Sequence, residues 1–344
     1  MQIRQNMNDK RCIREKIISL IRDYFHKQDF IETDTPTFVF CPGMEPHIRS
    51  ISFFTSDGLK IFLPTSPEFA MKRLLASGYE KIFQICKAYR AESKSATHNP
   101  EFTILEWYRS QATYEKLMDD VEKLFQVLCT ELYGSLVFET KTYGKQDLTG
   151  PWSRITVEEC FKTFCNLNLR ELRETKHIAQ ACIEKGFAAK KDFLNPNLPG
   201  LWDDFFFRIW MNEIEPKLKT LGKPVIVYLY PESQSALSNL IKDKQGFVWA
   251  KRFEVYAGGL ELGNAFDELT DPVEQRNRFK KDMVLRERLY GKEFPINPMD
   301  EEFLEALKSM PQASGIAMGV DRIAMYFTGA DHIEEVLWLP SYWR

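Results

Sequence analysis

Ile13, Ile17, Leu20, Ile21, Tyr24 and Phe25 recur at three- and four-residue spacing, which predicts an amphipathic helix from about Arg11 to Gln28. The stretch Phe30 to Phe38 reads as extended, and Pro36 places it at an edge or interface rather than inside a sheet. Ile61 to Leu63 predicts a short strand. Pro67 then opens a helix over about Glu68 to Ala76, which Gly78 ends. Ile82 to Arg90 and Phe102 to Tyr108 both alternate like strands. The polar loop Ala91 to Pro100 between them predicts an antiparallel pair carrying a long functional loop.

Tyr114 to Tyr133 predicts a long helix, and residues 136–223 read as a less regular, inserted or peripheral helical segment containing a loop at Asn195 to Gly200. Val225 to Tyr230 predicts a buried strand. Phe253 to Tyr256 and Leu260 to Asn264 predict a hairpin turning through Gly258 and Gly259. Asp271 to Tyr290 predicts a charged helix, Glu301 to Met310 another, Ser314 to Val320 a glycine-interrupted strand, and Asp321 to Phe327 the start of a last helix. There is no internal repeat and no low-complexity segment.

Composition narrows the class. The 344 residues are 44% hydrophobic and 28% charged, enough for one large domain with insertions or two domains. The net charge of −3 gives no overall basic field for non-specific nucleic-acid binding, although a local patch remains compatible with it. Seven cysteines, with no CxxC spacing, argue against a disulfide framework or a zinc site and fit a reducing cytoplasm. Met1 to Arg14 is polar, with no apolar signal segment, and no run approaches membrane-span length.

Three constellations carry candidate chemistry. The first runs from Phe83 through Arg90 and Glu92 to His98, Asn99, Phe102, Glu106 and Tyr108. Arg90 and Glu92, two apart on a strand, would share a face. The Arg90 fork suits a phosphate or carboxylate, Phe102 offers a flat surface to a base, and His98 reaches toward a terminal phosphate. Taken singly these are a surface ion pair, a loop histidine and a core phenylalanine; the ordered set points to function. The second is the hairpin with Glu254, Glu261, Asn264, Phe266 and Glu268, where two carboxylates on opposite arms suit magnesium. Its bland alternative is a solvated acidic hairpin. The third is Gly315, Ala317, Gly319, Asp321 and Arg322, whose glycines allow close backbone approach to a ligand. Its alternative is a tight strand-to-helix packing turn.

These segments resemble motifs 2 and 3 of the class II aminoacyl-tRNA synthetases, most closely the lysyl branch, and Phe30 to Pro36 resembles motif 1, whose proline lies at a dimer interface in that class. The resemblance covers the chain from about Arg14 to its end and is weak over 136–223. It implies an α+β catalytic fold, a mainly antiparallel sheet flanked by helices, working as a homodimer with ATP and Mg2+. Carried over by residue, Arg90 would hold the α-phosphate and the substrate carboxylate, Glu92 and Asn99 would read the adenine region, and Phe102 and Arg322 would sandwich the adenine. His98 would touch the γ-phosphate, and Glu254 and Glu261 would bind the metal. Glu68, in Thr65 to Glu68, would hold the reacting amino acid's amine. Glu106, Tyr108 and Glu268 would surround the far ammonium of lysine, with Asn264 on the carboxylate and Phe266 on the aliphatic stem.

A lysyl-tRNA synthetase normally carries an N-terminal β-barrel that reads the anticodon. Here the motif 1 helix begins near Arg11, so the expectation is a single catalytic domain over 1–344 without that module. This is similar to the branch that lysylates elongation factor P. Pro42 to His47, Leu105 to Arg109, Arg252 to Tyr256 and Met310 to Gly315 are similar to that branch. So is Ala317, where the tRNA enzymes usually carry glycine and which goes with (R)-β-lysine over lysine. Ala265 and Thr97 depart from the pattern and touch fine specificity only. The implied reaction is activation of (R)-β-lysine or lysine and transfer to a lysine of elongation factor P. A ligase acting on tRNA, an amino-acid ligase of the asparagine-synthetase kind and a non-catalytic paralogue are the alternatives.

Overall fold

The computed structural model describes residues 9–193, 198, 200–291 and 293–340. Most of the predicted loop at 195–200 lies outside the described residues. Helix α1 (Lys10–His26) leads into a short strand, β1 (Ile31–Glu32), and then a small separate hairpin, β2 (Ser52–Phe54) and β3 (Lys60–Phe62). Helix α2 (Glu68–Ala76) precedes β4 (Lys81–Tyr89), β5 (Glu101–Ser110) and α3 (Tyr114–Tyr133). A second hairpin, β6 (Val137–Thr140) and β7 (Gly144–Asp147), is followed by β8 (Ser153–Thr156), α4 (Val157–Cys160), α5 (Thr175–Glu184), α6 (Leu201–Ile209) and α7 (Glu215–Lys219). Then come β9 (Val225–Pro231), β10 (Leu240–Lys242), β11 (Val248–Ala257), β12 (Leu260–Asp267), α8 (Pro272–Tyr290), α9 (Glu301–Ala306), β13 (Ala313–Gly319) and α10 (Val320–Thr328).

Nine strands make one sheet in the order β1-β4-β5-β13-β12-β11-β9-β8, with β10 also paired to β11. All pairings are antiparallel except β1 with β4 and β8 with β9. The last strand in the chain thus sits in the middle. The two-residue repeat of a strand gives the sheet two different faces. Leu105, Trp107, Ala265, Ile316, Met318, Phe253 and Val255 point to one face and pack under α1, α3 and α10. There Phe25 stacks on Phe83 at 4.9 Å and tilts against Trp107 at 5.0 Å. Burying each such aromatic contributes about 2–3 kcal/mol.

Two smaller cores flank the other face. Val225, Val227, Tyr230, Trp249 and Tyr256 pack against Phe161, Phe205, Phe206 and Trp210 of the segment after β8. Ile82, Tyr108, Met71, Phe279 and Phe303 form the second, under α2, α8 and α9. Between them the sheet is open.

Two expectations are corrected. The segment 136–223 is not wholly peripheral, because β8 joins the main sheet in parallel with β9. A four-residue strand is too short to show period-two alternation, and its partner lies some seventy residues away (Ser153 against Val225). The helix expected over Glu301 to Met310 stops at Ala306, because Pro311 disfavours helical backbone before it. Helix α8 starts where Asp271 accepts hydrogen bonds from the Val273 and Glu274 amides, with Pro272 in the first turn.

Candidate active site

Strand register assembles the site. Glu106 on β5, Ala317 on β13, Asn264 on β12 and Glu254 on β11 lie side by side in one cross-strand row. Tyr108, Gly315, Phe266 and Arg252 form the next row. All eight occupy the open face, opposite the main core. A bulge between Val255 and Tyr256 sets Glu261 opposite Tyr256, which turns Glu261 onto the same face and sends Leu262 into the core. Gly258 and Gly259 take φ of 59° and 81° at the hairpin tip, a conformation that suits glycine.

Over this face lies a cavity of about 890 Å³. Arg90, Glu92, His98, Asn99, Phe102 and Arg322 line one end, with Glu261 beside them. Glu68, Glu106, Asn264, Phe266 and Ala317 line the other. Tyr108, Glu254 and Glu268 do not reach the cavity and sit directly behind its wall.

Arg90 and Glu92 are not on a strand, contrary to the sequence expectation. The ladder closes at Tyr89 opposite Glu101, because the next partner, Pro100, has no N–H to donate. The Arg90 amide donates to the Pro100 carbonyl at 2.9 Å, and its guanidinium lies 5.1 Å from the Phe102 ring centre. Its Nε is buried without a partner.

Arg322, at the start of α10, ties the arginine-lined end of the cavity together. It donates to the Thr97 carbonyl at 3.3 Å and to the Glu261 carbonyl at 2.9 Å, and lies 2.7 Å from His98 Nε2. Burial, and then the Arg322 charge, lowers the His98 pKa. His98 is therefore neutral: Nε2 accepts from Arg322, and Nδ1–H faces Ser95 Oγ at 2.8 Å. Asn99 donates to the Glu101 carbonyl at 2.6 Å.

Arg322 is itself placed by its neighbour. Asp321 accepts from Arg14 Nε at 2.8 Å and from the Thr103 amide at 2.8 Å, while Arg14 also donates to Thr103 Oγ1 at 2.7 Å. This buried knot joins α1, β5 and α10.

Glu254 accepts from Tyr230 and Tyr256 hydroxyls, each at 2.6 Å on Oε2, and from Arg252 on Oε1. Burial, then the Glu254 charge, pushes the Glu261 carboxyl up to about 7. Glu261 faces the cavity and could take a divalent cation, which would relieve the repulsion; Glu254, behind the wall with Arg252 on Oε1, has one lone pair left to support it. Glu261 is the freer ligand. Among the described residues no group of three or more His, Cys, Asp or Glu is arranged for a metal.

At the other end Glu106 is buried, accepting from the Tyr108 hydroxyl at 3.0 Å on Oε2 and leaving Oε1 without a partner. Burial, and then the charge of Glu68, raises its pKa well above the usual carboxylate range. An ammonium in reach would lower it again. Gly315 makes room for this cluster: a Cβ there would stand 2.1 Å from Tyr108 Cε1 and 2.5 Å from Glu268 Oε1.

Several site residues escape a motif reading. Arg252, Tyr230 and Tyr256 hold Glu254, and the alternation of Arg252, Glu254 and Tyr256 on one strand was the available signal. Lys72 lies 2.6 Å from Glu68 Oε1 and 2.5 Å from Glu268 Oε2, and the signal there was the four-residue helical spacing of Glu68 and Lys72. Arg14 gave no signal.

A mainly antiparallel sheet under a cavity with one arginine-lined and one acidic end is the arrangement of a class II synthetase type of ligase. The chain belongs to the family of class II tRNA synthetases (D, K and N), whose profile matches residues 1–342. Among its relatives, elongation factor P–(R)-β-lysine ligase of Avibacterium paragallinarum is 34% identical, over 94% of this chain and 92% of that protein. The same-named ligase of Haemophilus ducreyi is 34% identical, over 94% of this chain and 91% of that protein. Lysine–tRNA ligase 2 of Methanosarcina mazei is 33% identical over 96% of this chain, which spans 61% of that protein's length.

Proposed function

We propose that the chain activates (R)-β-lysine or lysine with ATP as an aminoacyl-adenylate and transfers the acyl group to a lysine ε-amine of elongation factor P. The observation that carries this reading is the row Glu106, Ala317, Asn264 and Glu254, whose buried, half-partnered Glu106 carboxylate lines the same cavity as Arg90 and Arg322.

The chain's residues act mainly by placement. Glu68 takes the amine near the reacting carboxylate, and Glu106 with Tyr108 takes the distal ammonium, since a buried ammonium needs a paired anion. Phe266 packs on the stem and Asn264 orients the carboxylate. Arg90 draws carboxylate and α-phosphate together. The carboxylate oxygen then bonds to the α-phosphorus as the bond to pyrophosphate breaks. Glu92 and Asn99 read the adenine edge, Phe102 and Arg322 stack its faces, and neutral His98 touches the terminal phosphate once its single N–H turns from Ser95. Glu254 and Glu261 would hold Mg2+, which supplies neutralisation of phosphate charge. The acceptor amine then bonds to the acyl carbon and AMP leaves.

Ala317 occupies the middle of the row, and its methyl trims the pocket. One methylene-sized difference discriminates by about 1–3 kcal/mol, which suits a choice between lysine isomers. The enzyme is proposed to work as a homodimer in the cytoplasm, and the free cysteines at every described cysteine position fit a reducing compartment. Among the described residues no helix is long and apolar enough to cross a membrane.

The test is ATP–pyrophosphate exchange with (R)-β-lysine, lysine and aspartate, then mass spectrometry of elongation factor P. Exchange with a lysine isomer and one added lysyl mass are expected; exchange with aspartate alone would sink the reading. Arg90→Ala should cut exchange at least about 100-fold, as losing a preorganised charge at the reacting oxygen costs about 3–4 kcal/mol. The likeness to lysine–tRNA ligase favours a second reading, tRNA as acceptor. Labelled lysine on tRNA, with none on the factor, would select it.

A further inference from the structure

Lys72 is 1% exposed, and its ammonium is wedged between two carboxylates drawn from opposite sides of the fold. Glu68, one turn earlier on α2, lies at 2.6 Å, and Glu268, just past β12, at 2.5 Å. Burial alone would lower the Lys72 pKa, but Glu268 and Glu68 outweigh it and hold the side chain as an ammonium. The other ionisable groups facing the cluster are Glu106 and Tyr108 on β5 and Glu45 from the loop before β2. Asp267 also faces Glu268, but is paired with Lys251. Lys72 is therefore the cation that sits within this group.

A buried lysine is expensive, and an apolar side chain of the same length would pack as well. What it changes is charge. Glu68, Glu106 and Glu268 bring three negative charges, and Lys72 cancels one; Glu45, its pKa raised by burial and facing Arg90 as well, stands outside this count.

We propose that Lys72 is a built-in counter-ion and positioning residue: it engages Glu68 and Glu268 permanently, leaving the pocket two uncompensated negative charges to match the two ammonium groups of a diamino acid. This rests on the lysine-activation reading above. Glu268 then serves the substrate through Lys72 rather than by touching the distal ammonium, which falls to Glu106. An amino acid with one ammonium leaves a carboxylate buried and unpaired, and is refused.

In Lys72→Met the two orphaned carboxylates share a proton at neutral pH, and a protonated carboxyl cannot pair with an ammonium. The KM for the lysine isomer in pyrophosphate exchange should rise at least tenfold at pH 7, with kcat within threefold and the KM for ATP unchanged. That KM should fall as pH rises from 6.5 to 8.5, and more steeply than in the parent, where burial already raises the Glu106 pKa and pushes that of Glu268 up to about 8. The double variant Lys72→Met with Glu268→Gln removes one charge of each sign. It should bring KM back to within about fivefold of the parent and reduce the pH dependence to no more than the parent's. A parent-like KM in Lys72→Met, or a double variant worse than the single one, would overturn the proposal. If Lys72→Met does not fold, as read by circular dichroism, the double variant decides alone, and a KM more than tenfold above the parent overturns it. A parent enzyme without exchange for either isomer overturns the activation reading, and this proposal with it.

Discussion

At the scale of single residues, the site is a set of buried charges that hold one another. Glu254 is held by Arg252 and two tyrosines, Glu68 and Glu268 by Lys72, and Asp321 by Arg14. The ligand-facing members were legible because their order and spacing resemble a family motif. Their partners were not, because a partner such as Arg14 is 307 residues from Asp321 and carries no local pattern. Glycine at 315 matters for a steric reason. Gly315→Ala forces Tyr108 and Glu268 apart, since its Cβ would sit 2.1 Å and 2.5 Å from them. Overpacking of this kind costs about 1–3 kcal/mol. The expected outcome is a lower melting temperature in calorimetry, with a KM for lysine raised at least tenfold and a KM for ATP nearly unchanged.

At the scale of elements, alternation and helical spacing were strong guides. The helices at Glu68–Ala76 and Tyr114–Tyr133 and the turn at Gly258 and Gly259 lie where the pattern put them. The bulge that re-aims Glu261 was invisible, because a one-residue shift in pairing depends on the partner strand. The knot of Arg14, Thr103 and Asp321 carries the join between α1, β5 and α10. Asp321→Ala leaves the buried Arg14 guanidinium only its Thr103 bond and a longer, 3.5 Å contact with Glu15, which costs about 3 kcal/mol. Denaturant unfolding should show that loss, and exchange activity should fall with it because Arg322 is the next residue. A variant as stable as the parent would contradict the role given to the knot.

At the scale of the whole molecule, strand order was the least legible feature, since pairings between distant segments leave no local trace. The segment between β1 and β2, bridged to β3 through Val39 and Phe62, exposes Phe38 at 62% and Phe40 at 65%, and β2 exposes Phe54 at 70%. A cluster of exposed aromatics marks a contact surface, and here a second copy of the chain is the proposed occupant. Phe40→Ser with Phe54→Ser should shift the mass seen by light scattering from dimer to monomer. An unchanged mass would place the interface elsewhere. The central position of β13 has a further consequence, for synthesis. Strands β4 and β5 leave the ribosome early and β11 and β12 much later, yet neither pair touches the other until residues 313–319 slot between them. The nascent chain therefore carries two half-sheets with open edges, a hazard for mispairing. A message cut short before codon 313 leaves both half-sheets without the one strand that pairs with each of them, in contact only through side-chain packing such as the core under α3.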